Sequence, residues 1–150
     1  MKRLHIHLSV LNLKQNIEFY STLFGCGPTL QHDDYAKWML DDPRVNFAIS
    51  NRSAQLGLDH LGIQAENEQE LQAIKQQLDA TQAPIEAQEG AACCYARSDK
   101  YWITDPQGIA WESFHSLSEI PTFNDQNAPS DGENPFACRP SENKTSTCCG

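Results

Sequence analysis

Two segments of the chain, LHIHLSVLNL from Leu4 and DHLGIQAENE from Asp59, match each other at an offset of 55 residues. At that offset His5 falls on His60, Leu8 on Ile63 and Asn12 on Asn67. A repeat of this length constrains the fold strongly, because each copy is one supersecondary unit that needs its neighbour to bury its apolar face. Each copy reads as a strand with partial alternation, followed by an Asn able to cap a helix. After Asn12, apolar residues recur at Leu13, Ile17, Tyr20 and Phe24, one face of a helix that Gly25 stops. After Asn67, a similar stripe runs through Leu71, Ile74 and Leu78, and Glu70 is placed to close a capping box. Strand candidates follow both helices: PTLQH, YAKWML and VNFAIS in the first half, then IEAQ, CCYARS, KYWIT and IAWESF in the second. Tight turns are expected at DDPR and DPQG. The pattern is that of an α+β domain, residues 1–116, made of two βαβββ modules at about 1–52 and 57–116. Pairing of their first strands would bring His5 and His60 close to a pseudo-twofold axis.

Beyond Ser116 the texture changes. Residues 117–150 hold four of the eight prolines and show no periodicity, which reads as a flexible tail. The 150 residues suffice for one domain with a real core. A net charge of −9 argues against nucleic acid as a partner, since there is no basic surplus to displace counterions. No apolar run approaches the roughly 20 residues of a membrane span. The opening MKRLHIHLSV is interrupted by two histidines, so it lacks the apolar stretch of a secretory signal. A cytoplasmic protein with its six cysteines reduced is the expectation, and the NKT sequon at Asn143 is then coincidental.

Two constellations carry chemistry. His5, His60 and Glu112 supply two imidazoles and a carboxylate, the ligand set of a non-haem Fe(II) facial triad with open positions. A single strand histidine is more often a hydrogen-bonded polar group, but repeat-equivalent placement of the pair favours ligation. Cys93 and Cys94, in GAACCYARSDK, are adjacent thiols, poor partners for each other in a disulfide and good ligands for a thiophilic atom. On an extended strand they would point to opposite faces, so joint capture requires a bulge or loop, which Gly90 makes feasible. Arg97 and Lys100 are positioned to favour the thiolate. His7 shares the parity of His5 and is a candidate to orient a ligand. His115 has the opposite parity to Glu112, and His32 reads as a solvated turn. Trp38, Tyr95, Tyr101 and Trp102 are candidate pocket aromatics, with core packing the commoner use of such residues. Cys138, Cys148 and Cys149 form a possible accessory metalloid-binding set in the tail.

The early histidine, NLKQNIEFY, DHLGIQ and DPQGIAWE together resemble the vicinal oxygen chelate superfamily of glyoxalases, bleomycin-resistance proteins and extradiol dioxygenases, over residues 1–116. Within it, DDYAKWMLDDPRVNFAIS and CCYARSDK are most similar to the carbon–arsenic lyases and their cadmium-induced relatives. The resemblance implies a cup-shaped mixed sheet around a metal site, with His5, His60 and Glu112 holding Fe(II). It implies that Cys93 and Cys94 capture a trivalent organoarsenical, methyl or aromatic, which O2 then cleaves to arsenite. The other readings are a cadmium- or arsenic-sequestering protein without turnover and a metal-dependent thiol transferase acting on an antibiotic. The expected partners are a small organoarsenical and O2, with neither nucleic acid nor membrane, in a monomer or homodimer. RVNFAIS offers Asn46, but no His, Glu or Gln, where glyoxalase-type relatives place a fourth ligand.

Overall fold

The computed structural model describes residues 1–93 and 95–119. The first module contains β1 (Arg3–Ser9), α1 (Leu13–Phe24), β2 (Leu30–His32), β3 (Tyr35–Asp41) and β4 (Arg44–Ser50). The second contains β5 (Gly57–Ala65), α2 (Glu68–Ala80), β6 (Glu86–Cys93), β7 (Ala96–Thr104) and β8 (Ala110–Glu119). Asn12 caps α1 by accepting from Gln15 N–H at 3.0 Å, and Gly25 closes it with φ 70°. Asn67 caps α2 by accepting from Glu70 N–H at 2.9 Å. Glu70 reaches back one residue further than a capping box requires, accepting from Glu66 N–H at 3.0 Å.

All eight strands form one sheet in the order β2-β3-β4-β1-β5-β8-β7-β6. The order is symmetric about the β1–β5 pair, which is antiparallel, while β1–β4 and β5–β8 are the equivalent parallel pairs. This is the paired duplication expected from the repeat. The two halves of the sheet curl towards each other, and the helices cover the convex side. Under α1 pack Trp38, Phe47, Ile49, Ile6 and Leu8. Ala65, Leu71, Ile74, Ile63 and Tyr101 pack together under α2. Strand alternation therefore turns His5 and His7 to the concave side, because Ile6 and Leu8 belong to the convex core.

The second module has three strands after its helix, not four. IEAQ and the first cysteine lie on one strand, β6, interrupted by a bulge between Gln88 and Ala91 where Gly90 takes φ 57°. Likewise ARS and KYWIT are one strand, β7. Cys93 pairs with Ala96 at the tip of the β6–β7 hairpin, and Tyr95 at that tip has φ 61°. β8 continues past Ser116, with Ser118 opposite Arg97 and Glu119 opposite Ala96. The ordered pairing thus runs three residues beyond the expected boundary, through a bulge that sets Leu117 aside. Cys94, Cys138, Cys148 and Cys149 lie outside the described residues. Among the described residues no helix is long and apolar enough to cross a membrane.

Candidate metal centre and capture hairpin

Four ligand-bearing residues meet on the concave face, on two cross-strand rows. One row reads Asn46, His5, Gly62, Glu112, Trp102, each opposite the next. The next row places Ala48, His7 and His60 side by side. His5 and His60 are thus diagonal neighbours, with Nε2 atoms 3.1 Å apart. Glu112 Oε2 lies 3.4 Å from His60 Nε2 and 3.8 Å from His5 Nε2. Gly62 stands between His5 and Glu112 and leaves that place without a side chain. A Cβ there would sit 2.3 Å from the Glu112 carbonyl oxygen, so only glycine lets β8 come this close.

The outer nitrogens are fixed by partners that leave the inner ones facing each other. His5 Nδ1–H donates to the Asn46 carbonyl at 3.0 Å. His60 Nδ1–H donates to Asp59 Oδ1 at 2.6 Å. Asp59 reaches this position because β1 and β5 shift register between His7 and Leu8, leaving Asp59 as the extra residue of a bulge. Ser9 Oγ–H steadies its other oxygen at 3.2 Å. With both Nδ1 atoms donating, two Nε2 lone pairs and a carboxylate oxygen converge with no neutral donor between them. Such a set calls for a cation, and a histidine backed by a carboxylate is the usual support of a metal ligand.

The protonation pattern agrees. Burial lowers the His5 pKa, as does the positive charge of His60, to about 4. Burial also acts to lower that of His60, but the Asp59 and Glu112 carboxylates outweigh it and the pKa is raised. Burial acts to raise the Glu112 pKa, yet Lys100 and His60 prevail and hold it well below the usual carboxylate range. Lys100 Nζ donates to Glu112 Oε1 at 2.7 Å, which leaves Oε2 directed at the histidines.

The remaining candidates fall into two groups. On the concave face, His7 is buried, its Nε2 is 3.0 Å from Ser50 Oγ and its ring lies 4.9 Å from that of His60. Trp102 packs edge-on against His60 at 5.1 Å. Lys100 serves Glu112 and stands four positions along β7, about 13 Å of strand, from Ala96 at the hairpin tip, which displaces the role expected for it at the thiols. Trp38 and Tyr101 lie on the opposite, helix-covered face. Trp38 is fully buried beneath α1 and donates to the Cys26 carbonyl at 3.2 Å, and Tyr101 packs in the α2 cluster, so neither lines the cup. His115 pairs with Ala65 of the α2 cluster and faces away from Glu112.

Tyr95 does reach the site's surroundings, by joining the two modules across the open side of the cup. Its ring stacks on His32 at 3.5 Å and its hydroxyl donates to Asp34 at 2.6 Å. Arg52 pairs with the same Asp34. His32 is therefore a stacking partner, not a solvated turn. Tyr35 lies between the hairpin tip and the histidines, 5.8 Å from Tyr95 and 5.9 Å from His7. Cys93 is buried and disulfide-bonded, with a partner outside the described residues, where reduced thiols were expected.

Asp59, Gly62 and the Lys100–Glu112 pair were not assigned these roles from sequence. The Asp-His dipeptide was a usable signal for the first. The other two depend on which strands become neighbours.

Residues 2–113 match the family model described as the Glyoxalase/Bleomycin resistance protein/Dioxygenase superfamily. The chain belongs to this superfamily. It is 39% identical over 164 aligned positions to the trivalent organoarsenical cleaving enzyme of Bacillus sp. (strain MD1), covering 99% of each chain. It is 32% identical over 142 positions to the cadmium-induced protein CadI of Mycobacterium tuberculosis (strain ATCC 25618 / H37Rv), covering 92% of this chain and 93% of that one. In fold it is similar to homoprotocatechuate 2,3-dioxygenase from Arthrobacter globiformis, with a TM-score of 0.58, 14% identity, and coverage of 79% of this chain and 37% of that one. The expected superfamily and its cup of paired modules are thus both found.

Proposed function

We propose that this superfamily member is an Fe(II)-dependent dioxygenase that cleaves the carbon–arsenic bond of trivalent organoarsenicals. The observation that supports it most directly is the convergence of His5 Nε2, His60 Nε2 and Glu112 Oε2 without a neutral donor, on a scaffold that also carries Cys93, the sequence neighbour of Cys94, at a hairpin tip. The similarity to a protein named for organoarsenical cleavage supports the substrate class. In this reading His5, His60 and Glu112 hold the metal, a mixed nitrogen and oxygen set that suits Fe(II) and leaves positions free. Bound Fe(II) would supply the electron that triplet dioxygen needs before it reacts with a closed-shell substrate.

The chain's own residues do the rest. Asp59 and the Asn46 carbonyl keep each Nδ1 protonated, so that each Nε2 stays available. Lys100 neutralises one Glu112 oxygen and directs the other inward. Cys93 and Cys94, once reduced, take As(III) as a dithiolate, fixing the atom whose bond is to break. Tyr95 holds their hairpin over the cup, and buried Trp102 and Phe114 limit water around His60 and His5. For a methyl substituent the balance is CH3As(OH)2 plus O2 giving formaldehyde and As(OH)3. The carbon is oxidised, and arsenic leaves as arsenite.

The test is arsenite release from methylarsenite by the reduced full chain, with and without Fe(II), in air and under argon. Release should require both Fe(II) and air. Stoichiometric binding without release would instead make this a sequestration protein. Cys93→Ser and Cys94→Ser should leave Fe(II) binding unchanged while abolishing capture of phenylarsenite, since a hard hydroxyl replaces a soft thiolate. Arsenite release at the wild-type rate by these variants would remove arsenic capture from the mechanism.

A further inference from the structure

His7 is assigned no step in that reaction, yet it completes a second ligand set. On the two cross-strand rows, His5 and His60 form a shared diagonal. Glu112 lies on one side of it, beyond Gly62, and His7 lies on the other, on the same strand as His5. His5, His7 and His60 each offer a ring nitrogen within 4.8 Å of the others, and all three are buried. We infer that His5, His7 and His60 form a second, all-imidazole site for a divalent ion of the Zn(II) class, mutually exclusive with the Fe(II) site because two ligands are shared. The inference rests on His5 and His60 being metal ligands, as proposed above.

Two chemical differences separate the sets. The histidine–histidine–carboxylate set is anionic and open, and suits an ion that takes six ligands. Three imidazoles are neutral and form the protein side of a tetrahedral site with one free position, which Zn(II) accepts. Nitrogens bound to one tetrahedral Zn(II) at about 2.0–2.1 Å lie roughly 3.3 Å apart. His5 and His60 already meet at 3.1 Å through their Nε2 atoms, and each histidine of the three offers a nitrogen within 4.8 Å of the others, so closing the set falls mainly to His7. Its present partner, the Ser50 hydroxyl, is neutral and exchangeable. The affinity order favours Zn(II) over Fe(II) at either set, and His7 adds a third neutral imidazole to the shared pair in place of the carboxylate.

The experiment uses the reduced full chain under argon, titrated separately with Zn(II) and Fe(II), with X-ray absorption at the zinc edge on protein loaded with one equivalent. The spectrum should show nitrogen ligands at about 2.0–2.1 Å and no sulfur at about 2.3 Å. His7→Ala should raise the Zn(II) dissociation constant at least about tenfold and leave that of Fe(II) within about twofold. Glu112→Gln should do the reverse. Each variant's retained ion shows that it is folded. Sulfur ligation, Zn(II) affinity unaffected by His7→Ala, or loss of both ions in Glu112→Gln would each overturn the inference. His5→Ala should weaken both ions. If it weakens neither, the Fe(II) reading falls too, whereas an Fe(II) response without the crossover removes only the second site.

Discussion

At the scale of single residues, the site depends on a side chain that is missing. Gly62 faces His5 on one neighbour and Glu112 on the other, and a methyl group there would meet backbone rather than the end of a flexible side chain. Gly62→Ala must therefore push β8 away and carry Glu112 with it. Overpacking of this kind typically costs about 1–3 kcal/mol. Urea unfolding should show that loss, and anaerobic titration should show Fe(II) affinity reduced in the fraction that still folds. Wild-type affinity in Gly62→Ala would mean that Glu112 is not held by this contact. The histidine pair was legible because the repeat set His5 on His60. Gly62 was not, since its role arises only when strands some fifty residues apart become neighbours on both of its sides. Lys100 was read towards the thiols for the same reason: sequence proximity to Cys93 is visible, and pairing with β8 is not.

At the scale of elements, the proposed function makes the β6–β7 hairpin decide whether the two proposed chemistries meet. A bulge or loop was expected at the cysteines themselves; the bulge lies earlier, between Gln88 and Ala91, and the register was not foreseen because CCYARS reads as a continuous strand while Cys93 pairs back with Ala96. The tip is tied to the other module by Tyr95, through His32 and Asp34. Tyr95→Phe removes the bond to Asp34 and keeps the stack, a loss of about 1 kcal/mol. It should weaken phenylarsenite capture several-fold while leaving Fe(II) affinity unchanged, and equal losses in both would show that the hairpin and the metal site are not separable. The end of β8 supports the same tip from behind, where Ser118 and Glu119 pair with Arg97 and Ala96. A chain ended after Glu119 keeps every strand described above and should fold as the full chain does. One ended after Ser116 loses those pairings, and its amides at Ala96 and Arg97 should exchange faster with solvent. Equal exchange in the two truncations would place the tip's support elsewhere.

At the scale of the whole molecule, the duplication has been put to unequal use. The first module contributes His5 to the proposed Fe(II) site, while the second contributes His60, Glu112 and the hairpin proposed for capture. Any ion held by His5, His60 and Glu112 therefore bridges the modules across the β1–β5 seam, at the centre of an eight-stranded sheet. Without it, the Nε2 atoms of His5 and His60 and the Oε2 of Glu112 face one another with no cation between them. Metal binding should accordingly stabilise the entire domain rather than a local loop. At a free metal concentration of 100 times Kd, mass action contributes about 2.7 kcal/mol. For a domain of this size that corresponds to a rise in Tm on the order of 10 °C. The measurement is thermal unfolding of the reduced chain under argon, with Fe(II) added or chelated. The rise should vanish in His5→Ala, although that residue belongs to the other module from the remaining two ligands. It should persist in Cys93→Ser, whose thiol belongs to the capture site alone. A metal-dependent rise that survives His5→Ala would mean that the ion sits within one module, and the bridging arrangement would be wrong.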